Sequence, residues 1–167
     1  MGIGIVEPIG GIELEYVGTT VPTGLKANMR VTGQDGKFYR LVKNTLGSNA
    51  TIRIAYFLRL NASTNELELS AAGDDASAGA VCIPQIATVA TGNYFWVGTG
   101  GLLEATSAGA IAANAQVSLS TTDGKLDDAA ITGKALNAFH STSSSVSGAD
   151  ATIEIFCPGE LAYFASN

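Results

Sequence analysis

The clearest pattern in the chain is the alternation of apolar and polar positions in residues 51–60, TIRIAYFLRL. Successive side chains of a strand point to opposite faces, so this pattern predicts a half-buried strand. The polar turn NASTN and the returning ELELS complete a hairpin in which Leu60 faces Leu67. Arg59 then faces Glu68, and we expect these two side chains to form a weak cross-strand ion pair.

Most of the remaining chain also has the pattern of short strands. The stretches that show it are ELEYV, MRVTG, KFYRLVK, VCIPQIATV, YFWVG, QVSLS, GKALNAF and ATIEIFC. Glycine and small polar residues separate them, and AAGDDASAGA and STSSSVSGAD are interpreted as exposed loops. Many short strands of this kind are typical of a β-sandwich or a β-barrel. The sequence therefore predicts an all-β fold, a compact sandwich or barrel of short antiparallel strands with little helix.

Two segments of the chain have similar sequences, and we call this internal similarity the echo. LKANMRVTGQDGKF, at 25–38, and IAANAQVSLSTTDGKL, at 111–126, share an Ala-Asn pair, a following valine and a closing Asp-Gly-Lys. Asparagine tolerates the left-handed conformation of a tight turn, and Asp-Gly is a strong hairpin signal. Both segments are predicted to form a turn, a strand and a hairpin. Either this similarity arose by chance, or the chain has two related halves, 12–70 and 84–157.

The length of 167 residues suits one β-rich domain, which we place at 12–167. Residues 1–11 carry Ile3, Ile5 and Val6 among glycines, and form either an arm that adds a strand to a neighbouring sheet or an ordinary first strand. No stretch is long and apolar enough to span a membrane, and the start lacks the basic segment of a secretory signal. We expect synthesis in a cytoplasm, with Cys82 and Cys157 as buried free thiols.

Charge is divided unevenly along this acidic chain. Residues 26–59 contain seven cations and one acid, a net charge of +6, whereas the remaining residues contain two cations and fourteen acids. Such asymmetry predicts an acidic partner on the basic side, unless the cations pair internally. The candidate contact residues in this region are Arg30, Lys37, Arg40, Lys43 and Arg53.

Nucleic acid is a weaker candidate for that partner. Four aromatic residues lie among the cations, as stacking platforms do in an oligonucleotide-binding barrel: Phe38, Tyr39, Tyr56 and Phe57. The pI near 4.6 argues against this interpretation, because phosphate contacts dominate such affinity.

Signatures of catalysis are missing from the sequence. The stretch VGTGGLLE begins like a dinucleotide-binding loop, but Leu103 stands where the last glycine belongs. His140 is the single histidine, so no zinc cluster can be drawn from motif spacing. Reading Asp123 as the start of a calcium loop puts Lys125 at a ligand position, which favours a hairpin there. We therefore expect a protein that is not an enzyme and that needs no metal or cofactor.

The second half of the chain, over residues 80–157, resembles the β-rich head decoration, or capsid cement, proteins of tailed bacteriophages. The resemblance rests on a turn, a strand, a glycine-centred hairpin, a "G-x-A-L-x-A" strand and a closing "A-x-I-x-I" strand. The matching positions are Asn114, Val117 to Leu119, Gly124, Gly133 to Ala138 and Ala151 to Ile155. The first half, with its longer basic strand region, departs from that pattern.

The resemblance implies a structural virion protein on the outer surface of a phage capsid. Such proteins bind the major capsid protein, commonly as homotrimers, and clamp neighbouring capsid subunits against the pressure of packaged DNA. The candidate capsid or subunit contacts are then Ile3, Ile5, Val6 and the five cations named above. An alternative is a carbohydrate- or receptor-binding β-module of a virion fibre, with Trp96, Tyr94 and the loops 71–80 and 141–150 forming a shallow site.

Overall fold

The prediction of an all-β fold is confirmed: within the part of the chain described below, the secondary structure consists of strands and turns, without a helix. The structure is a computed structural model, and it describes residues 12–71, 80–121, 124–129, 135–142 and 146–158. Its strands are β1 (Val17–Gly18), β2 (Arg30–Thr32), β3 (Phe38–Lys43), β4 (Tyr56–Asn61), β5 (Glu66–Ala71), β6 (Ala80–Cys82), β7 (Tyr94–Thr106), β8 (Gln116–Leu119), β9 (Leu126–Asp127), β10 (Ala135–Ser141) and β11 (Thr152–Cys157).

The strands form one curled, mixed sheet with the long strand β7 at its centre. The order is β6-β4-β5-β3-β7-β11-β10-β8-β9, and β1 and β2 add to β7 and β3. Most pairs are antiparallel, but β3 and β5 meet in parallel at Lys43 and Glu68. The sheet curls back at two points, because Ile83 bridges to Gly98 in β7 and Leu126 bridges to Ser107, the residue that follows β7. Strand β7 therefore belongs to both curled parts of the sheet.

The first curled part surrounds one apolar core, and the second surrounds another. The first core contains Val42, Ala50, Tyr56, Leu58, Leu69, Cys82, Val89, Phe95 and Val97. The second contains Leu103, Ala105, Ile111, Val117, Leu119, Leu126, Leu136, Phe139, Ile153, Ile155 and Cys157, together with Ala55, Phe57, Val81 and Ile83 from the first part. Both cysteines are buried thiols that form no disulfide bond, as predicted. Because Phe57 packs into the second core while its neighbours pack into the first, the two parts share packing across β4.

A third apolar cluster covers the outer side of β3 and β7. Tyr39, Leu41, Tyr94 and Trp96 are buried beneath partly buried residues of the segment between Ile12 and Val31. Of the predicted strand ELEYV, only Val17 lies in a strand, the short β1, because a turn at Leu14 and Glu15 interrupts the rest. This segment serves mainly as a cover for β3 and β7 rather than as a long strand of the sheet.

The predicted strand at 51–60 is wrong in its first half. The strand begins at Tyr56, because Arg53 takes a left-handed backbone conformation with φ of 63° and ends the extended run. The burial also differs from the half-buried pattern: Phe57 is buried on the supposedly polar face, whereas Leu60 is 60% exposed. The alternation failed here because the second core covers the face that the sequence pattern assigns to solvent.

The register of the β4–β5 hairpin is confirmed, but its ion pair is wrong. Leu60 lies opposite Leu67 and Arg59 lies opposite Glu68, as predicted. Among the described residues, however, no carboxylate lies within the 4.0 Å of an ion pair from the Arg59 side chain. Asn61 Nδ2 instead donates a 2.7 Å hydrogen bond to Glu68 Oε1. The Glu68 carboxylate, which the charge pattern assigned to Arg59, thus accepts a hydrogen bond from the neutral side chain of Asn61.

The two echoed segments have the same local backbone. Asn28 and Asn114 both have left-handed φ values, of 67° and 56°, and Gly36 and Gly124 follow at 76° and 73°. The hairpins close with equivalent hydrogen bonds, from Gly33 N to Lys37 O at 2.8 Å and from Ser120 N to Lys125 O at 2.9 Å. Asp123 lies outside the described residues. The division into halves 12–70 and 84–157, which the echo suggested, stays a prediction.

The tips of these two hairpins pack against other parts of the sheet. Ala55 N donates a 2.8 Å hydrogen bond to Gly124 O, so the second hairpin docks beside β4. A side chain at Gly124 would overlap Ile54 and would lie 2.8 Å from Ala55 O. At the first hairpin, Gly36 O and Lys37 Cα lie so close to Gly101 that a Cβ there would be 3.2 Å from each. Gly36 and Gly124 therefore each pack closely against a distant strand or loop.

Candidate interaction surface

The cations of β2 and β3 are positioned by a tight hairpin. Gly36 supplies the left-handed turn, and Asp35 stabilises it by accepting hydrogen bonds from Lys37 N at 3.1 Å and from Tyr39 Oη at 2.8 Å. Lys37 Nζ adds an ion pair at 3.5 Å. Burial acts to raise the pKa of Asp35, but the hydrogen bonds and the charge of Lys37 outweigh it and lower that pKa. Asp35 is therefore a structural carboxylate of the turn, and Lys37 is held at the tip by it.

Arg30 and Arg40 lie directly opposite each other on one face of this hairpin. Like charges in this arrangement repel, so each needs another interaction. Arg40 Nη1 donates a 2.9 Å hydrogen bond to the Asn28 carbonyl oxygen. The Arg30 guanidinium lies over the Phe38 ring, 4.8 Å from its centroid. We name the set of Arg30, Phe38 and Arg40 the cationic face.

Arg30 is the exposed member of the cationic face. Its guanidinium has a cation–π contact, and no carboxylate of the described ranges lies within 4.0 Å of it. A guanidinium that is stacked on an aromatic ring keeps its N–H donors free for a carboxylate of a partner. Arg30 is therefore the predicted contact residue whose chemistry is best suited to an external acidic group.

Lys43 lies away from the cationic face. It is three residues from Arg40 on β3, so strand alternation turns it to the other side of the sheet. Its ammonium lies 5.5 Å from the centroid of the Tyr94 ring, and the Tyr94 hydroxyl donates a 2.8 Å hydrogen bond to Glu66 Oε2. Burial, followed by the hydrogen bond to Glu66 and the charges of Glu66 and Glu68, raises the pKa of Tyr94. Lys43 thus contacts a ring of its own chain, and the hydroxyl of that ring is bonded to an acidic residue.

Arg53 is also paired within the chain. Its Nε lies 2.6 Å from Glu104 Oε2, and its backbone bonds to Pro84 and Thr106. It therefore helps to hold the 51–55 segment against the end of β7. The structure brings Arg30, Arg40 and Lys37 together on one hairpin, whereas Lys43 points to the other side of the sheet and Arg53 lies outside the hairpin. Ile3, Ile5 and Val6 lie outside the described residues.

The sequence reasoning missed a second surface, on β7 and β11. Leu102 and Phe156 are cross-strand partners, and their side chains are 46% and 48% exposed. Glu104 and Glu154 form the next outward-facing pair along the same strands, and His140 on β10 lies beside Phe156. We name Leu102, Phe156 and Glu154 the apolar–acidic face. In the sequence, this face is indicated by Phe156, an apolar residue on the otherwise polar side of the alternating strand TIEIFC.

The aromatic residues that suggested nucleic-acid or sugar binding are mostly core residues. Tyr39, Tyr56 and Phe57 are buried, and of the four basic-region aromatics only Phe38 is partly exposed. Trp96 and Tyr94 are buried in the cluster on the outer side of β3 and β7. These rings pack against protein and leave little face for a base or a sugar.

Further features of the described residues concern metals and membranes. Within the described ranges, no three His, Cys, Asp or Glu side chains are grouped so that they could hold a metal ion. No helix of this part of the chain has the length and apolar character needed to cross a membrane.

Comparison of the sequence with protein-family models and with curated proteins gives no match.

Proposed function

We propose that this protein is a structural virion protein that binds the outer surface of a phage capsid and stabilises the assembled head. In this proposal it acts without catalysing a reaction, as a homotrimer, by contacts with the major capsid protein and with its own neighbouring copies. The observation that carries the proposal is the cationic face, which presents Arg30 on a tight hairpin of an otherwise acidic chain. The sequence resemblance over residues 80–157 supplies the class of partner.

The proposed mechanism is additive clamping. A stable protein–protein contact buries about 1,600 Å² in total, and several such contacts within one oligomer act together through avidity. A protein that binds only the assembled lattice stabilises that lattice by linkage, because dissociation of the lattice must also release the bound protein.

The direct test uses purified protein and undecorated phage heads. We expect the protein to sediment with the heads and to raise the temperature at which they release DNA. Arg30→Glu should weaken this binding, whereas Arg59→Glu should not, because it reverses an exposed cation on β4 that has no ion pair among the residues the structure describes. Heads that sediment without the protein, and that release DNA at an unchanged temperature, would contradict the proposal.

A further inference from the structure

The apolar–acidic face presents two large apolar side chains in the middle of the sheet rather than at its rim. Residues of β11 alternate strictly between exposed and buried, which puts Thr152, Glu154 and Phe156 on the outer side. Leu102 lies directly opposite Phe156, and both side chains are about half exposed. A partner that covered this pair would remove two large apolar side chains from water, which favours association.

The charge beside this patch is negative and incompletely neutralised. Glu104 lies directly opposite Glu154, an arrangement in which the two carboxylates repel each other. Arg53 neutralises Glu104 at 2.6 Å. For Glu154, no cation of the described ranges lies within 4.0 Å. The patch therefore combines apolar surface with one carboxylate that an external cation would stabilise.

The cationic face of the same chain has the opposite chemistry. It offers an aromatic ring, Phe38, with a guanidinium that has no carboxylate partner among the described residues. The two faces also lie near each other along β7, since Phe38 is opposite Gly100, two residues before Leu102. One molecule thus carries an aromatic ring beside a cation and an apolar pair beside an anion, and neither charge has an ion-pair partner within the described ranges.

We propose that the apolar–acidic face of one molecule binds the cationic face of a second copy, with Arg30 of one chain paired to Glu154 of the other. Phe38 would then cover the Leu102–Phe156 pair, so that apolar contact and charge pairing occur together. In the homotrimer proposed above, the contact repeats head to tail around a three-membered ring, as closed cyclic symmetry requires. This inference deepens the proposed function by assigning Arg30 to self-association, and it rests on the self-association included there.

The test is sedimentation equilibrium of the purified full chain at low salt, without capsids. We expect wild-type protein to associate as its concentration rises, and Arg30→Glu or Glu154→Arg alone to weaken association by about tenfold or more. The double variant, which exchanges the two charges, should associate much as wild type does. Raising the salt should weaken the wild-type complex, because the charged groups lie at the surface. Arg59→Glu is the matched control for loss of one positive charge and gain of a negative one.

A second variant tests the apolar part of the contact. Phe156→Ser removes an exposed ring and should therefore weaken association while leaving the circular dichroism spectrum and the melting temperature near those of wild type. A wild-type protein that is monomeric at every concentration would overturn the inference. So would single variants that associate like Arg59→Glu, or a double variant that fails to recover association. Binding to phage heads is measured separately, so a failure of this interface is distinguished from a failure of capsid binding.

Discussion

Substitution of Gly124 by alanine tests whether the second Asp-Gly hairpin is anchored to the rest of the sheet. Gly124 has φ of 73°, and its carbonyl oxygen accepts the hydrogen bond of Ala55 N. A methyl group there would overlap Ile54 and lie 2.8 Å from Ala55 O, so the hairpin has to move away. The matched control is Gly36→Ala, because Gly36 has nearly the same φ, 76°, and nothing within 4 Å of an added Cβ.

The two substitutions lower the free energy of unfolding for different reasons. Gly36→Ala incurs the left-handed penalty alone, about 1 kcal/mol after the smaller entropy of the unfolded alanine chain is counted. Gly124→Ala adds the weakened hydrogen bond, about 1 kcal/mol, and about 1–2 kcal/mol of overpacking. We therefore expect free energies of unfolding lowered by about 1 kcal/mol in Gly36→Ala and about 3–4 kcal/mol in Gly124→Ala.

Urea denaturation followed by tryptophan fluorescence measures both changes, since the chain has one tryptophan. In a chain of this length, 1 kcal/mol corresponds to a shift of about 2–4 °C in melting temperature, which gives a second reading. The reasoning is refuted when the two variants lose equal stability. Equal losses would mean that backbone conformation alone matters at both turns and that the contact of Gly124 with Ala55 is unimportant.

Two further predictions concern the basic region. Burial, then the hydrogen bond to Asp35 and the charge of Asp35, raises the pKa of Tyr39 far above its ordinary value of 10.0. Protonated Tyr39 therefore stabilises the fold fully below pH 10.0, and this stabilisation is lost as the pH rises further. Tyr39→Phe should make alkaline unfolding, followed by circular dichroism, less steep; an unchanged pH profile would contradict this. At Arg53, whose φ is 63°, Arg53→Gly should be more stable to urea than Arg53→Ala by about 1 kcal/mol, and equal stabilities would argue against strain there.

Local signals in the sequence identified most of the strands and turns. The hairpin around Asp35 and Gly36, the asparagine turns at 28 and 114, and the β4–β5 register all depend on residues close in sequence. The errors arose where distant residues decide the structure. Arg53 ends its extended run because its backbone pairs with Pro84 and Thr106, and Phe57 is buried because residues from the second half of the chain cover it. Alternation alone contains no information about either contact.

The same distinction explains what could be predicted of the surface. Arg30 and Arg40 fall on one face because a short hairpin sets their register, so their proximity follows from the sequence. Lys43 and Arg53 belong to other environments because their partners, Tyr94 and Glu104, lie about fifty residues away in the chain. The pairing of Leu102 with Phe156 likewise requires the β7–β11 register, which no local motif specifies.

Strand β7 fixes the relation between the two faces. It pairs with β3 through residue 100 and with β11 from residue 101, so one continuous backbone connects the cationic hairpin to the apolar pair. The change of partner occurs at Gly101, whose φ is 91° and which the tip of the first hairpin contacts closely. A side chain at Gly101 would press on that tip, which belongs to the hairpin that carries Arg30. The glycines that allow β7 to serve both parts of the sheet therefore also set the geometry of the proposed interface.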